Sequence, residues 1–328
     1  MMDTVMRQRI FVYEHLSGGG LADDGGGADA ELLAMGLAMR DAIVQDLARI
    51  EGVTVSCATS ARAGSVPALP HVTPVRPERG ESPFGFVRRQ TQLHDRVWIV
   101  APESGGLLAC MRKMVGKERW IGCDSTAIRI ASSKGATSEH LTRQGLRTPW
   151  AFVGERGVSR WVVKPDDGAG AVDTRVHTSF DGALADLARR KRPGPLGTLE
   201  PWVDGEPMSL SLLCGGGRTE LLSINRQHIR IDDGGVLHYE GVQIGALALD
   251  DPRADALRDT ASRVAQAIPG LRGFCGVDVV WHPQCGPVVI EVNPRVTCAY
   301  VGLSAALQRP LASEIVAMFM EQETLGVA

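Results

Sequence analysis

Asp278, Glu291 and Asn293 are oxygen-bearing side chains set into otherwise apolar runs, at a spacing that suits metal binding. Asp278 is flanked by Val277, Val279 and Val280, and Glu291 by Ile290 and Val292. A lone carboxylate is costly to bury in such surroundings. Glu291 and Asn293 are two residues apart, so on a strand they share a face. Antiparallel pairing of 275–281 with 288–292, around a turn at 282–286, can bring Asp278 to that face. Three converging oxygens suit Mg2+, or Mn2+ in its place, which completes its shell with phosphate oxygens and water. The competing reading is two strands whose carboxylates bond to lysines as scaffold.

Two lysines supply the opposite charge. Lys164 ends the run Trp161-Val162-Val163 and is followed by Pro165-Asp166-Asp167-Gly168-Ala169-Gly170-Ala171. A lysine on a buried strand needs an anion, and a turn containing Gly168 and Gly170 can present bare backbone N–H groups to phosphate. The turn is no Walker motif, which requires G-x-x-x-x-G-K-[ST]. Gly18-Gly19-Gly20 likewise lacks the spacing of a dinucleotide fingerprint. Lys134, in Ser132-Ser133-Lys134-Gly135, stands between two short helical segments. Its competing reading is an exposed lysine at a helix end.

The elements that must hold these residues fall into two styles. In the N-terminal part, 9–13, 53–57 and 97–100 read as buried strands and 28–50 and 107–115 as helices, with a Pro-rich loop over 61–83. Strand, glycine loop, helix, strand opens a doubly wound parallel sheet. After residue 124 the pattern changes. Short helices are expected at 125–131 and 137–145, strands at 161–164, 199–203, 209–213 and 220–225, a helix at 250–267, the hairpin of the metal ligands, and a terminal helix at 304–320.

Composition limits the alternatives. The 328 residues are 44% hydrophobic and 22% charged, with 35 basic and 38 acidic residues and a net charge of −3. That is ordinary for a globular protein and offers no basic arm for nucleic acid. The densest positive run, 189–192, reads as a solvated helix end. Seven cysteines without C-x-x-C spacing argue against a zinc site and for a reducing, cytoplasmic setting. No signal-peptide pattern and no membrane-length apolar stretch is found. None of the scattered cysteines and histidines forms a pair with the look of a nucleophile and its base.

The order of the motifs resembles the ATP-grasp superfamily. The resemblance runs from Ser125 to the C-terminus, through Ser133-Lys134, Leu146-Arg147-Thr148-Pro149, Val162-Val163-Lys164-Pro165, Leu199-Glu200-Pro201-Trp202-Val203-Asp204-Gly205, Gly276-Val277-Asp278 and Ile290-Glu291-Val292-Asn293-Pro294-Arg295. It implies an α/β (α+β ATP-grasp) fold: an N-terminal parallel-sheet pre-ATP-grasp domain over 1–124, a small lid subdomain over 125–199, and a C-terminal subdomain over 200–328 with an antiparallel sheet and the metal site. It also implies roles. Lys134, Lys164, Gly168, Ala169 and Gly170 hold the ATP phosphates. Glu200, Pro201, Trp202 and Val203 line the adenine, and Asp278, Glu291 and Asn293 hold Mg2+. Two glutamates stand as ribose contacts, Glu206 and Glu200. In many members that glutamate follows the adenine-side glycine at a spacing one residue different from Gly205-Glu206.

A closer resemblance, to the tyramine–L-glutamate ligase-like enzymes of methanofuran and methylofuran synthesis, rests on the runs at 12–20 (VYEHLSGGG), 101–106 (APESGG) and 293–300 (NPRVTCAY). The implied chemistry joins a carboxylate to an amine through an acyl phosphate, releasing ADP and phosphate, with L-glutamate and tyramine or a related amine as substrates. Such catalysis is positioning and electrostatics. Arg295 would hold the acyl phosphate or a substrate carboxylate, Lys164 would act at the transferred phosphoryl group, and Asn225, Arg226, Tyr239 and Tyr300 stand as substrate contacts. Partners are then small amino acids and amines, with no nucleic acid and no membrane, and a homodimer is allowed. The alternatives are an ATP-grasp ligase for another amino acid or dipeptide, a phosphotransferase or carboxylase on the same nucleotide site, and a nucleotide-binding regulator without ligase chemistry.

Overall fold

In the computed structural model, which describes residues 8–20, 27–154, 158–168, 170–190 and 197–320, the chain separates into two units. The first comprises Met1–Ala101, Leu108–Gly122 and Arg295–Ala328; the second comprises Pro102–Leu107 and Cys123–Pro294.

The first unit begins with β1 (Gln8–Glu14), α1 (Gly27–Leu47), β2 (Val53–Ala58), β3 (Val72–Val75), α2 (Pro83–Leu93), β4 (Arg96–Val100), α3 (Leu107–Val115) and β5 (Trp120–Ile121). Its sheet has the order β3-β2-β1-β4-β5, and every pairing is parallel. Strands covered on both faces read as continuous apolar runs, and Ile10 to Tyr13 are fully buried. Ile43, Val44 and Leu47 of α1 are buried with them. The stretch expected as loop contains β3 and the start of α2. β3 lies at the sheet edge, the position where Pro74 is tolerated, and Ser82 caps α2 by accepting from Gly85 N.

The second unit continues with α4 (Ser125–Ala131), α5 (Lys134–Arg143), β6 (Trp161–Pro165), β7 (Arg175–His177), α6 (Phe180–Arg190), β8 (Gly197–Pro201), β9 (Glu206–Gly215), β10 (Arg218–Ile231), β11 (Leu237–Leu247), α7 (Ala254–Ala267), β12 (Gly273–His282) and β13 (Gly286–Asn293). A small antiparallel sheet has the order β7-β6-β8, and a larger one the order β11-β10-β9-β12-β13. One face of the larger sheet packs on α7 through Leu257, Ala261 and Val264, all buried. The other face carries a polar belt of Ser209, Ser211, Ser223 and Asn225, also buried. Asn225 ties the belt together: Ser223 Oγ donates to its Oδ1 at 2.6 Å, and its Nδ2 donates to Ser209 and Ser211 at 3.3 and 3.0 Å. The 189–192 run lies at the end of α6, and its last two residues fall outside the described ones.

The chain then returns to the first unit with α8 (Leu303–Leu307) and α9 (Leu311–Met320). The single terminal helix expected over 304–320 is two helices. Gln308 is left-handed (φ 53°), and Pro310 cannot continue a helix. Residues 295–328, expected with the C-terminal subdomain, group with the first unit because Leu311, Ile315, Val316 and Phe319 of α9 are buried there beside α1 and β5. All seven cysteines are free thiols. Among the described residues no helix is long and apolar enough to cross a membrane.

Candidate active site

The hairpin of β12 and β13 sets the acidic end. Its turn pairs His282 with Gly286, Val280 with Val288 and Val279 with Val289. Continued without change, that register would place Ile290 opposite Asp278 and turn Glu291 to the other face. A β-bulge at Ile290 intervenes, and the next pair is Asp278 with Glu291, followed by Val277 with Val292 and Gly276 with Asn293. One extra residue therefore brings Asp278, Glu291 and Asn293 onto one face, the re-aiming that bulges supply near functional sites. Gly276, opposite Asn293, adds no side chain to that face.

The groups there are already oriented. Asp278 Oδ1 accepts from Gln227 Nε2 at 3.0 Å and Oδ2 from Asn293 Nδ2 at 3.2 Å. Glu291 Oε1 lies 3.1 Å from Lys134 Nζ. The donor set is hard oxygen, fixed by neighbouring amides, and it fits a divalent ion of the Mg2+ type. Among the described residues no three His, Cys, Asp or Glu side chains converge on a metal position. An ion here would take two carboxylates and an amide oxygen from the chain and the rest from phosphate and water.

Lys134 is the first residue of α5, capped by Ser133, and is 9% exposed. Its Nζ also donates to the carbonyl of Gly168. It thus joins the acidic hairpin to the glycine turn that follows β6. Asp166 fastens the same turn from the other side: its Oδ1 accepts from Gly135 N at 2.9 Å and Thr198 Oγ1 at 2.6 Å, and its carbonyl from Lys134 N at 2.8 Å. Burial opposes its charge, but hydrogen bonds from Ser133, Thr198 and Gly135 and the Lys134 charge hold it below the usual carboxylate range. Gly170, Ala171 and Asp173 all have positive φ, unusual for the two non-glycine residues. Ala169, expected at the phosphates, lies outside the described residues.

Lys164 stands elsewhere. It is 5% exposed, and its Nζ is 2.5 Å from Oε1 of Glu200, itself 4% exposed, on the paired strand β8. Pro201 and Val203 are buried, while Trp202 stacks under Arg160 at 4.9 Å and donates to Asp204. Gly205 (φ +155°) lies where a Cβ would meet Trp281 O at 2.2 Å, so only glycine lets the β8–β9 link pass β12. Glu206 bonds Arg226 Nε and Arg253 Nη1, each at 2.7 Å. Against its partial burial, the two arginines keep its carboxyl below the ordinary range.

The other expected contacts divide. Asn225 belongs to the buried polar belt, and Arg226 is committed to Glu206. Tyr239 pairs with Ile229 on the β10–β11 hairpin. Tyr300 is buried in the first unit and donates to Asp46 at 3.0 Å. Arg295 is the first residue of the returning segment and donates to Val296 O. One Cys/His contact does exist: Cys285 Sγ is 2.9 Å from His282 Nδ1, which also accepts from two backbone N–H groups in the β12–β13 turn. Three features went unread in the sequence: Asp166, Gln227 and the bulge. Asp166 and Gln227 had a signal, a polar residue two positions beyond a chosen one: Asp166 just after β6, and Gln227 within β10.

Residues 131–299, just over half of the chain, match the ATP-grasp domain family, and residues 53–128 match the pre-ATP-grasp 3 domain. The chain belongs to the ATP-grasp family. It is 28% identical over 211 residues to the tyramine–L-glutamate ligase of Methanocaldococcus jannaschii, a match covering 64% of this chain and 58% of that protein. The chain thus spans less than two thirds of that relative's length. Its fold is similar to that of an ATP-grasp superfamily protein from Archaeoglobus fulgidus, with TM-score 0.68 and 21% identity over 94% of this chain and 88% of that one. It is also similar to that of D-alanine–D-alanine ligase from Bacillus anthracis complexed with ATP, with TM-score 0.64 and 12% identity over 97% and 99% of the two chains.

Proposed function

We propose that the protein is an ATP-dependent carboxylate–amine ligase that forms an amide through an acyl phosphate and releases ADP and phosphate. The observation that carries this reading is the single constellation in which Lys134 spans Glu291 and the Gly168 turn beside Asp278 and Asn293. It offers cations and bare backbone to phosphates on one side and hard oxygens on the other. A divalent ion held by Asp278, Glu291 and Asn293 would neutralise phosphate charge. Lys134, Lys164 and the turn at 168–170 bind the phosphates, and 200–203 face the adenine. Ribose falls to Glu206: two arginines leave lone pairs on its carboxylate, whereas Glu200 is buried against Lys164. The acid's carboxylate oxygen attacks the γ-phosphorus and the bond to ADP breaks. The amine nitrogen then attacks the acyl carbon, phosphate leaves, and the nitrogen loses a proton. Arg295 steadies the acyl phosphate. Positioning and charge drive both steps.

The tyramine–L-glutamate ligase match supports L-glutamate as the acid and tyramine or a related amine as the nucleophile, in the synthesis of a methanofuran-type one-carbon carrier, within the cytoplasm. The test combines ADP release with mass detection of product, using L-glutamate against a panel of amines and then other acids. Amine-dependent ADP release with a matching amide is expected. ADP release without any amide would overturn the ligase, and an amide from a different acid would overturn only the substrate.

A further inference from the structure

Gln227 reaches Asp278 across an intervening strand. On the polar face of the larger sheet, Asp278 of β12 lies opposite Ser209 of β9, and Ser209 lies opposite Asn225 of β10. Gln227 is two residues beyond Asn225 on the same strand and therefore shares its face. Neighbouring strands are about 4.8 Å apart, so the two side chains bridge roughly 10 Å of sheet. They meet at 3.0 Å over a β9 whose residues on that face, Ser209 and Pro207, are both small. Paired positions of β9 and β10 end at Met208 and Arg226, and the next β9 residue is Pro207, which has no N–H to offer.

Burial does not force this bond. Gln227 is half-buried, so water is available to its amide in place of a carboxylate. Holding a long side chain stretched over a strand also costs rotamer freedom. What the bond does is fix one oxygen of Asp278 while Asn293 holds the other. With each oxygen bound by an amide N–H donor, the carboxylate is held in a fixed orientation opposite Glu291 in the hairpin.

We propose that Gln227 is a positioning residue that orients Asp278 for divalent-ion binding. This rests on the reading of Asp278 as an ion ligand in the proposed function. Residues that hold a metal ligand in place by hydrogen bonding are worth about 10- to 100-fold in metal affinity. The variant Gln227→Met keeps the length and removes the donor. His228→Gln, an exposed neighbour on the opposite face of the same strand, serves as control.

The experiment titrates Mn2+ into the full chain with ADP, read by electron paramagnetic resonance, beside ADP affinity without metal and the Mg2+ dependence of turnover. Gln227→Met should bind Mn2+ about 10- to 100-fold more weakly, with metal-free ADP affinity unchanged. Its apparent KM for Mg2+ should rise by a similar factor, while kcat at saturating Mg2+ stays within about threefold. His228→Gln should match the parent. A parent chain that binds Mn2+ with ADP and a Gln227→Met chain that binds it equally well would overturn the positioning role alone. A parent chain that binds no Mn2+ with ADP would overturn the ion site beneath it.

Discussion

Lys164 and Glu200 form an ion pair with almost no solvent around it, and the pair makes opposite demands on stability and on function. Removing one partner of a buried pair leaves an uncompensated charge and costs about 3–5 kcal/mol, whereas neutralising both is nearly free. Lys164→Ala should therefore melt well below the parent and bind ADP weakly. Lys164→Met with Glu200→Gln should regain most of the melting temperature and none of the ADP affinity. Thermal melts with calorimetric ADP titration separate the two effects, and an unchanged ADP dissociation constant in both variants would remove Lys164 from the phosphate site. At the acidic end the expectation is reversed. Asp278→Asn keeps shape and partial exposure, so it should leave melting within about 1 kcal/mol of the parent while abolishing amide formation; Glu291→Gln should abolish it too, with a lower melting temperature because the buried Lys134 loses its carboxylate. Near-parental Mg2+-dependent turnover in both would refute the ion site. These residues were legible because a charge in an apolar strand demands a partner. What the sequence could not show is who the partner is: Lys164 meets Glu200, Lys134 meets Glu291, and both pairings join strands or helices far apart in the chain.

The elements were legible where apolar periodicity is strong and hidden where it is not. β1 and β4 stand out as apolar runs, and β12 as one broken by Asp278. β11, with Gly241 and Gly245 and a half-exposed edge, gives no such run and went unread. The register of the metal hairpin could not be read at all. With its turn pairing His282 to Gly286, strict counting puts Asp278 and Glu291 on opposite faces, and the bulge at Ile290 alone reverses this. Two deletions test the geometry. Removing Ile290 takes out the extra residue and keeps every pair from Asp278–Glu291 onward. That variant should fold and retain Mn2+ binding in the presence of ADP. Removing Val292 moves Asn293 opposite Val277, into the face packed on α7, and should destroy Mn2+ binding. The same loss in both deletions, with folded circular-dichroism spectra, would show that the bulge itself, rather than the facing it sets, is required.

At the scale of the whole molecule, the two units hold their titratable groups in different ways, and acid should separate them. In the first unit, burial lowers His15 to about 4 and lowers His94, although the Gln90 carbonyl bonded to its ring works in the opposite direction. Unfolded histidines bind a proton near 6.5, so below that pH the unfolded chain takes up protons that the folded unit refuses, and stability falls. Glu14 opposes this. Burial raises its carboxyl above the ordinary value, so it contributes stability that is complete below about 4.3 and lost as pH rises through its folded value. We expect the two histidines to govern, so that the first unit weakens as pH falls from about 6.5 towards 4.5. In the second unit Asp166, Asp186 and Glu206 are all held below their usual range despite burial, by hydrogen bonds and neighbouring cations. Depressed carboxylates keep their stabilisation above about 4 and lose it only as pH falls through the folded values. Amide hydrogen exchange, corrected for intrinsic rates, should therefore show β1 and β4 losing protection between pH 7.5 and 5 while β9 and β12 keep theirs. His94→Gln should flatten the dependence in the first unit alone. Equal loss in both sheets, beginning only below pH 4, would mean that the buried histidines do not govern the acid response.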